Sequence, residues 1–293
     1  MHAIKRKLMS LWQRRTVSEH ILYTIVFVIF ALFALSYLYC LGWCFVAGLK
    51  THGEVVLDPF AWPEKWNFSH YIELFETLKV GETSFFGMVL NSIYFSVLGA
   101  FLATLCTSMV AYVTTKYKFP GAGAYFICSL IMMILPIYGT GGSMYLLLEK
   151  LNFLNSPAMI FTSMSGLGLY YMYFHAFYQN VSWSYAEAAQ LDGAGDYSIF
   201  FRVMLPQALP MFGAVFLLIW MTEWNNYANA LLYLPDMPTL AVGIYMFQEE
   251  MVYNARLDIL YAGCFVSCIP PLVLFICFNK VLMNNISLGG IKE

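Results

Sequence analysis

Between Ser182 and Pro210 the chain reads SWSYAEAAQLDGAGDYSIFFRVMLPQALP, a polar, alanine-rich segment in an otherwise apolar sequence. Ser184 and Glu187 have the spacing of a capping box, which predicts a short helix over residues 185–192. Gly193 suits the left-handed position that ends a helix. A second short helix is expected over residues 198–204, followed by Pro206. The segment is therefore interpreted as a structured element and not as a slack loop.

A helix of this length is marginally stable alone and needs a surface on which to pack. Its alanines allow a partner to approach closely, and Tyr185, Phe200 and Phe201 offer the aromatic side chains that interfaces favour. These features indicate a docking element for a cytoplasmic partner. They fit an amphipathic linker that lies on a surface equally well.

The sequence around this segment consists of long apolar runs. In a bilayer every backbone polar group needs an internal partner, and about 20 apolar residues span the hydrocarbon as a helix. The runs lack the short alternation of barrel strands, so they predict an all-α membrane protein. Six transmembrane helices are expected, over residues 21–46, 86–113, 125–148, 158–178, 208–227 and 260–282. Pro136 and the glycines after it should kink the third, as a gating hinge or as an ordinary packing kink.

The composition is that of a lipid-facing chain. Hydrophobic residues make up 60% of the sequence and charged residues 11%, whereas soluble domains carry about 25% charged residues. The formal net charge of -2 gives no reason to expect nucleic acid as a partner. The seven cysteines lie in apolar runs and are interpreted as small apolar fillers. The run that begins at Ile21 is too long for a signal peptide, so it is interpreted as a retained span.

Basic residues cluster on alternate sides of the predicted spans, which sets the orientation. The cytoplasmic set is Lys5, Arg6, Lys7, Arg14, Arg15, Lys116, Lys118, Lys280 and Lys292. Both termini are then cytoplasmic, with residues 1–20 and 284–293 as tails of a membrane domain over 21–283. The structured segment at 181–207 is a cytoplasmic loop between spans four and five. Residues 47–85 and 228–259 are expected outside, the second as a partly ordered loop.

The cytoplasmic segment resembles the EAA loop of the permease subunits of ATP-binding-cassette (ABC) importers. The resemblance rests on Glu187-Ala188-Ala189, Gly193 and the pair Leu205-Pro206 at the family's spacing, although the family prefers isoleucine where Val203 stands. Further matches resemble the sugar branch, in particular the smaller permease of maltose-type systems; they are Asp192, Ala194, Phe200, Pro210, Trp224-Asn225, Thr239-Leu240 and Ser287–Lys292.

The resemblance implies a permease subunit of a sugar importer in a bacterial cell membrane. Its partners would be a second permease, usually non-identical in the sugar branch, a dimer of cytoplasmic ATPase subunits and an extracytoplasmic solute-binding protein. ATP and magnesium would be used by the ATPase subunits, with no cofactor or metal held by this chain. The tail at 289–293 would reach the ATPase, and the loop at 231–251 would meet the binding protein. The implied ATPase-coupling residues are Ser184, Glu187, Ala188, Ala189, Asp192, Gly193, Phe200, Leu205 and Pro206.

Polar side chains inside the predicted spans are candidates for a hydrated sugar path, because polar groups are costly in lipid. The candidates are Asn91, Ser92, Thr107, Ser165, Glu223 and Asn225. For each residue, hydrogen bonding between helices is the competing interpretation. His175 has no acidic neighbour in the spans, which argues against a proton relay.

Two other classes of function remain open at this stage. The sequence has no Gly-Lys-Ser/Thr phosphate loop, His/Glu zinc motif or G-x-S-x-G elbow. An ATP-independent secondary transporter or channel would be expected to show internal repeats or several intramembrane charges, and neither is visible. No catalytic cluster points to a membrane enzyme, so the chain is expected to be non-catalytic. An ABC permease for a non-sugar solute is the nearest rival.

Overall fold

The computed structural model of this protein describes residues 17–135, 141–254 and 256–286. The described chain is almost entirely helical. Its helices in chain order are α1 Val17–Ala47, α2 His52–Leu57, α3 Ser69–Thr77, α4 Phe85–Lys116, α5 Ala122–Ile134, α6 Gly141–Lys150, α7 Leu169–Asn180, α8 Ser184–Leu191, α9 Asp196–Trp224, α10 Tyr227–Tyr233, α11 Leu240–Asn254 and α12 Leu257–Ile286. A 3-10 helix, Pro157–Ser163, precedes α7.

Four of the helices are long and apolar enough to cross a membrane: α1, α4, α9 and α12. They coincide with the first, second, fifth and sixth predicted spans, so the all-α membrane class is confirmed. These runs are uninterrupted apolar sequence, and such runs can satisfy their backbone groups in lipid only as helices.

The third and fourth predicted spans are not single continuous helices. The third run is divided between α5 and α6, and Pro136 and Gly139, where the kink is predicted, lie outside the described residues. The fourth run begins as the 3-10 helix, and α7 starts only at Leu169, after Gly168 adopts a φ of +88°. A left-handed glycine and the tight 3-10 turn interrupt the helix, although the composition stays apolar.

The prediction of a separate short helix over residues 198–204 is wrong. Those residues belong to α9, which runs unbroken from Asp196 to Trp224. A π-helical turn at Phe200–Met204 lets the helix continue, with the Leu205 amide donating to the Phe200 carbonyl. Because Pro206 cannot donate and crowds the preceding turn, a widened turn just before it keeps the helix intact.

The core forms where α4, α7 and α9 pack together. On α4 the contact face is made of small residues, including Ala100, Ala103 and Ala111, all buried. Tyr171, Phe174 and Tyr178 of α7 and Trp220 of α9 belong to the same buried cluster. Small residues on one helix let large aromatic side chains of its neighbours approach closely, as is usual for membrane helices.

The helix α1 stands apart from this core. Its apolar side chains are exposed from Ile21 to Tyr39, and it packs on α12 near its C-terminal end, where Trp43 meets Tyr261 at a ring distance of 4.8 Å. The segment at 47–85 carries α2 and α3. The segment at 228–259, expected as a partly ordered loop, forms α10 and α11 before α12 begins.

Candidate functional site: the short helix α8 and a cavity at the opposite end

The predicted short helix exists as α8, Ser184–Leu191, and it packs on the start of α9. One face of α8 is buried: Ala186 is fully covered, and Ala189 contacts the core cluster. Trp183, just before the helix, meets Tyr117 edge-to-face at a ring distance of 5.7 Å. The short helix is thus anchored by one small face and one aromatic contact.

The capping box predicted for Ser184 and Glu187 is not formed. Trp183 is the N-cap residue, and its carbonyl accepts from the amides of Ala186 and Glu187 at 2.8 and 3.1 Å. The Ser184 hydroxyl instead lies 2.7 Å from that of Ser182. The chain turns one residue earlier than predicted because the Trp183 ring is held by Tyr117.

The predicted end of the helix is confirmed. Gly193 has a φ of +82° and donates its amide to the Gln190 carbonyl at 2.9 Å, while the Ala194 amide reaches the Ala189 carbonyl at 3.0 Å. These two bonds constitute the Schellman motif, which requires a left-handed residue that glycine adopts without strain.

The outer face of α8 is exposed to solvent. Tyr185, Glu187 and Ala188 are exposed, and Leu191 and Tyr197 just beyond are 90% and 79% exposed. Phe200 lies on the other side: it is buried and packs on Tyr112 of α4 at a ring distance of 5.2 Å. Of the three aromatic anchors expected, Tyr185 and Phe201 are exposed and Phe200 is turned into the protein.

The remaining residues implied in ATPase coupling also divide into an exposed set and a half-buried set. Ser184, Asp192, Gly193 and Pro206 are exposed, whereas Ala189 and Leu205 are half-buried. Ser184, Asp192 and Gly193 lie on the surface of α8 and the turn after it, so a partner has access to them, whereas Pro206 lies further along the chain in α9. The half-buried ones contact the core cluster and connect α8 to the helices behind it.

Hydrogen bonds join the C-terminal end of α4 to the residues that flank α8. The Tyr117 hydroxyl donates to Asp196 at 2.9 Å, and Lys116 donates to the Val181 carbonyl at 2.5 Å. Burial, and then its contacts with Tyr112 and Asp196, raises the pKa of Tyr117, so that the phenol stays a donor. The α4 terminus, α8 and the start of α9 are therefore joined by specific polar contacts.

The predicted path residues do not form one continuous lining. Asn91 donates to the Pro238 carbonyl at 3.1 Å, and the Ser92 hydroxyl accepts from the Leu240 amide at 2.7 Å. Thr107 donates to the Ala103 carbonyl at 2.7 Å and also lies 3.3 Å from the Ser165 carbonyl. Asn225 donates to the Met221 carbonyl at 2.8 Å. The bonds of Asn91 and Ser92 join α4 to the segment at the start of α11, and the second contact of Thr107 reaches the segment before α7. The bond of Asn225 to Met221 stays at the end of one helix.

Two of the candidates, Ser92 and Glu223, share a cavity of about 420 Å³ at the end of the bundle far from α8. Its walls come from the first part of α4, the 3-10 helix, the end of α9 and α10. Asn225 points elsewhere, into a smaller pocket of about 220 Å³ beside Tyr227 and Tyr245.

Sequence reasoning missed several polar residues of the cavity: Ser96, Asn226, Asn229 and Tyr233. Ser96 had a detectable signal, because it follows the candidate Ser92 by four residues and so lies on the same helical face. The others come from segments expected as a regular span or as an external loop.

The described residues form no site that is built for proton transfer or for metal binding. His175 has both ring nitrogens engaged, by the Thr115 hydroxyl at 2.8 Å and the Gln179 amide at 2.9 Å. No group of three histidine, cysteine or acidic side chains in the described chain is arranged to hold a metal ion.

Residues 96–287 match the family model of the binding-protein-dependent transport system inner membrane component. This chain belongs to that family. The matched part contains α8, α9 and most of the cavity, so both regions described above lie within the family's shared portion.

Members of the family that resemble this chain include named sugar-transport proteins. The permease protein of a diacetylchitobiose uptake system from Streptomyces coelicolor is 27% identical over 254 residues, covering 85% of this chain and 82% of its own length. The permease protein of an arabinooligosaccharide transport system from Bacillus subtilis is 25% identical and covers 92% of this chain and 94% of its own.

A solved structure supports the same fold. It is a crystal structure of a bacterial ABC transporter involved in the import of the acidic polysaccharide alginate, and one of its chains is 20% identical to this one. The similarity covers 91% of this chain and 98% of that chain, with a TM-score of 0.74.

Proposed function

We propose that this chain is one of two permease subunits of an ABC importer for a sugar or oligosaccharide, with α8 as the helix that couples it to a cytoplasmic ATPase. A separate solute-binding protein delivers the sugar on the extracytoplasmic side. The second permease is a different chain, and the two together line the path across a bacterial cell membrane.

The observation that carries this proposal is the construction of α8. Its inner face is fixed by Ala186 and its C-terminus by Gly193, while Leu191 and Tyr197 remain exposed. An exposed leucine at the end of a rigidly held short helix, with an exposed tyrosine just beyond it, is typical of a surface that a partner covers. In a member of this family, a cytoplasmic ATPase is the partner that such a surface fits.

The proposal gives this chain no catalytic step. ATP and Mg²⁺ bind to the ATPase subunits, and their closure is transmitted through α8 to α9. Both termini of this chain are cytoplasmic, on the same side as α8, and the cavity with Glu223 faces outward. The carbohydrate assignment is supported by the named relatives, whose substrates are oligosaccharides.

Purification of the tagged chain in mild detergent, followed by mass spectrometry, tests the assembly. We expect stoichiometric recovery of an ATPase and a second multi-span permease. Proteoliposomes of the recovered complex with its binding protein should then accumulate a labelled oligosaccharide only when ATP is enclosed with the ATPase subunits.

The control is the same preparation with a non-hydrolysable ATP analogue, which should abolish uptake. Recovery of the chain alone, with transport that needs no ATP, would refute the proposal in favour of a secondary transporter. ATP-driven uptake of an amino acid or peptide but of no sugar would retain the ABC assignment and refute the carbohydrate assignment.

A further inference from the structure

We infer that the cavity between α4, α9 and α10 is a sugar-binding subsite that accepts uncharged oligosaccharides and rejects uronic acids. This rests on the proposed function, which it sharpens by naming the class of sugar. The inference has three supports: an unpaired buried hydroxyl, a set of free polar groups and the charge of the cavity.

The first support is Ser96. Its side chain is 2% exposed and lines the cavity, and its hydroxyl has no hydrogen-bond partner among the described residues. A buried hydroxyl without a partner costs about 1–3 kcal/mol, so such groups are rare unless a ligand or water completes them. Ser96 also lies in a π-helical turn, Tyr94–Leu98, and π-turns occur frequently at functional sites.

The second support is the division of the cavity's polar groups into two sets. Thr162 donates to the Met159 carbonyl, and Ser92 and Thr239 accept from backbone amides, so these hydroxyls serve the protein. The hydroxyls of Ser163 and Tyr233 and the side-chain amide of Asn229 form no hydrogen bond with a described residue, although all three residues line the cavity. Hydroxyls and an amide both donate and accept, as does each hydroxyl of a sugar.

The third support is charge. Glu223 is the only ionisable acid or base with a formal charge among the described residues that line the cavity, and it forms no ion pair within the described chain. Its carboxylate interacts with Asn226. A carboxylate without an ion-pair partner accepts strongly from sugar hydroxyls and repels a sugar carboxylate.

The shape of the cavity is consistent with a sugar. Its volume of about 420 Å³ lies within the range of ligand pockets, about 300–1,000 Å³. Phe95, Trp224 and Tyr233 provide aromatic surface for the apolar C–H faces of a sugar ring. The polar groups lie in the same walls, as ligand pockets require for specificity.

The test is saturation-transfer difference NMR on the detergent-purified complex. The binding protein is left out, so that any preference between sugars comes from the membrane complex itself. The probes are maltotriose and galactotriose as neutral sugars and trigalacturonate as the uronic acid. Wild type should bind the neutral trioses at least about tenfold more tightly than trigalacturonate. Glu223→Gln should weaken neutral binding and reduce this preference to about threefold or less, because the repulsion is removed.

Two hydroxyl variants form a matched pair. Ser96→Ala removes the unpaired hydroxyl and should weaken triose binding about fivefold. Thr162→Val removes a hydroxyl that is already donated to the Met159 carbonyl, so triose binding should stay within about twofold of wild type. ATP-driven uptake and co-purification are measured for each variant to show that it assembles.

The inference is overturned if trigalacturonate binds as well as the neutral trioses, or if Glu223→Gln and Ser96→Ala both bind like wild type. When this happens in a complex that still transports a sugar with ATP, the proposed function stands and only the subsite is wrong. A complex that transports no sugar refutes both.

Discussion

The two ends of this protein hold their irregular segments in different ways. At the end away from α8, residues 47–83 are fixed by charged groups that find partners within the chain. Arg256 binds Glu73 through two bonds of 2.8 and 2.9 Å and also reaches the fully buried Asp258 at 2.9 Å. Lys50, 1% exposed, donates to the carbonyls of Asp58 and Pro59 at 2.9 and 2.8 Å.

At the other end, α8 is fixed by backbone turns and apolar contacts, and its outer face is left open. Leu191 is 90% exposed there, and Tyr197 is 79% exposed. The charged end satisfies its costly groups within the described chain, although it also exposes apolar side chains such as Leu57 and Trp62. The α8 end carries its exposed apolar surface on a short helix fixed by turns and apolar contacts, which is the kind of surface that partners cover.

Breaking the helix stop of α8 should have the largest effect. Gly193→Val places a β-branched residue at a φ of +82°, where non-glycine residues are strained by about 1–2 kcal/mol. The turn after α8 should then shift, and ATP-driven uptake should fall by about tenfold or more. Uptake per recovered complex in proteoliposomes is the measurement.

Gly195→Val is the matched control for this change. Gly195 has an extended backbone, φ -76° and ψ 163°, and no atom within 4 Å of an added Cβ. Valine fits such a conformation, so uptake should remain near wild type. Equal uptake by the two variants would mean that the left-handed stop is not needed for coupling.

Removing the ion pairs of Arg256 should lower the stability of the protein and leave coupling unchanged. Arg256→Met leaves Asp258 buried with its strongest partner gone, which should lower the free energy of unfolding by about 3 kcal/mol. Thermal unfolding of the purified complex in detergent measures it. Glu73→Gln removes a carboxylate that is 38% exposed, so its cost should be about 1 kcal/mol or less. A larger loss in Glu73→Gln than in Arg256→Met would contradict this ranking.

The open face of α8 is tested by Leu191→Ser. Because Leu191 contacts solvent in this chain alone, thermal stability should be unchanged. Association with the ATPase subunits should weaken about tenfold, as expected for about 1.4 kcal/mol of lost apolar burial. Leu57→Ser is the control, since Leu57 is 87% exposed at the opposite end. If both serine variants bind the ATPase equally well, α8 is not the docking face.

The pH dependence of stability should be a small effect at the charged end. The hydrogen bonds from Arg256 are the main cause that lowers the pKa of Glu73. The stabilisation is therefore complete above the ordinary carboxyl pKa of about 4.3 and is lost as the pH falls through the lower folded-state value.

The difference in unfolding temperature between wild type and Glu73→Gln measures this effect. It should be present at pH 7 and shrink as the pH falls below the ordinary carboxyl pKa of about 4.3. A difference that stays constant over this interval would show that the Glu73 charge contributes nothing to it.

The sequence predicts a transmembrane helix correctly where an apolar run contains no residues that favour another backbone conformation. The predicted spans that correspond to α1, α4, α9 and α12 are long apolar runs, and such runs can satisfy their backbone groups in lipid only as helices. The run at 158–178 has the same composition, but Ser156 and Pro157 start a 3-10 turn and Gly168 interrupts the chain. Average hydropathy does not register such local backbone preferences, so this span was predicted as continuous.

The segment around α8 shows the same limit on a smaller scale. Gly193 was predictable because a left-handed stop nearly demands glycine. The N-terminal cap was not, because it depends on the contact of Trp183 with Tyr117, which lies far away in the sequence. The cavity was predicted only through Ser92 and Glu223, since its other walls come from segments whose positions are set by tertiary packing.

The continuity of α9 across Pro206 has a mechanical consequence. A helix of this kind rises about 1.5 Å per residue, so α9 is a rod roughly 43 Å long. It carries the α8 contact at one end and Glu223 at the other. A tilt of about 10° at the α8 end would swing the Glu223 end by roughly 7 Å. A small tilt at the α8 end of α9 would therefore move a wall of the cavity by a much larger distance.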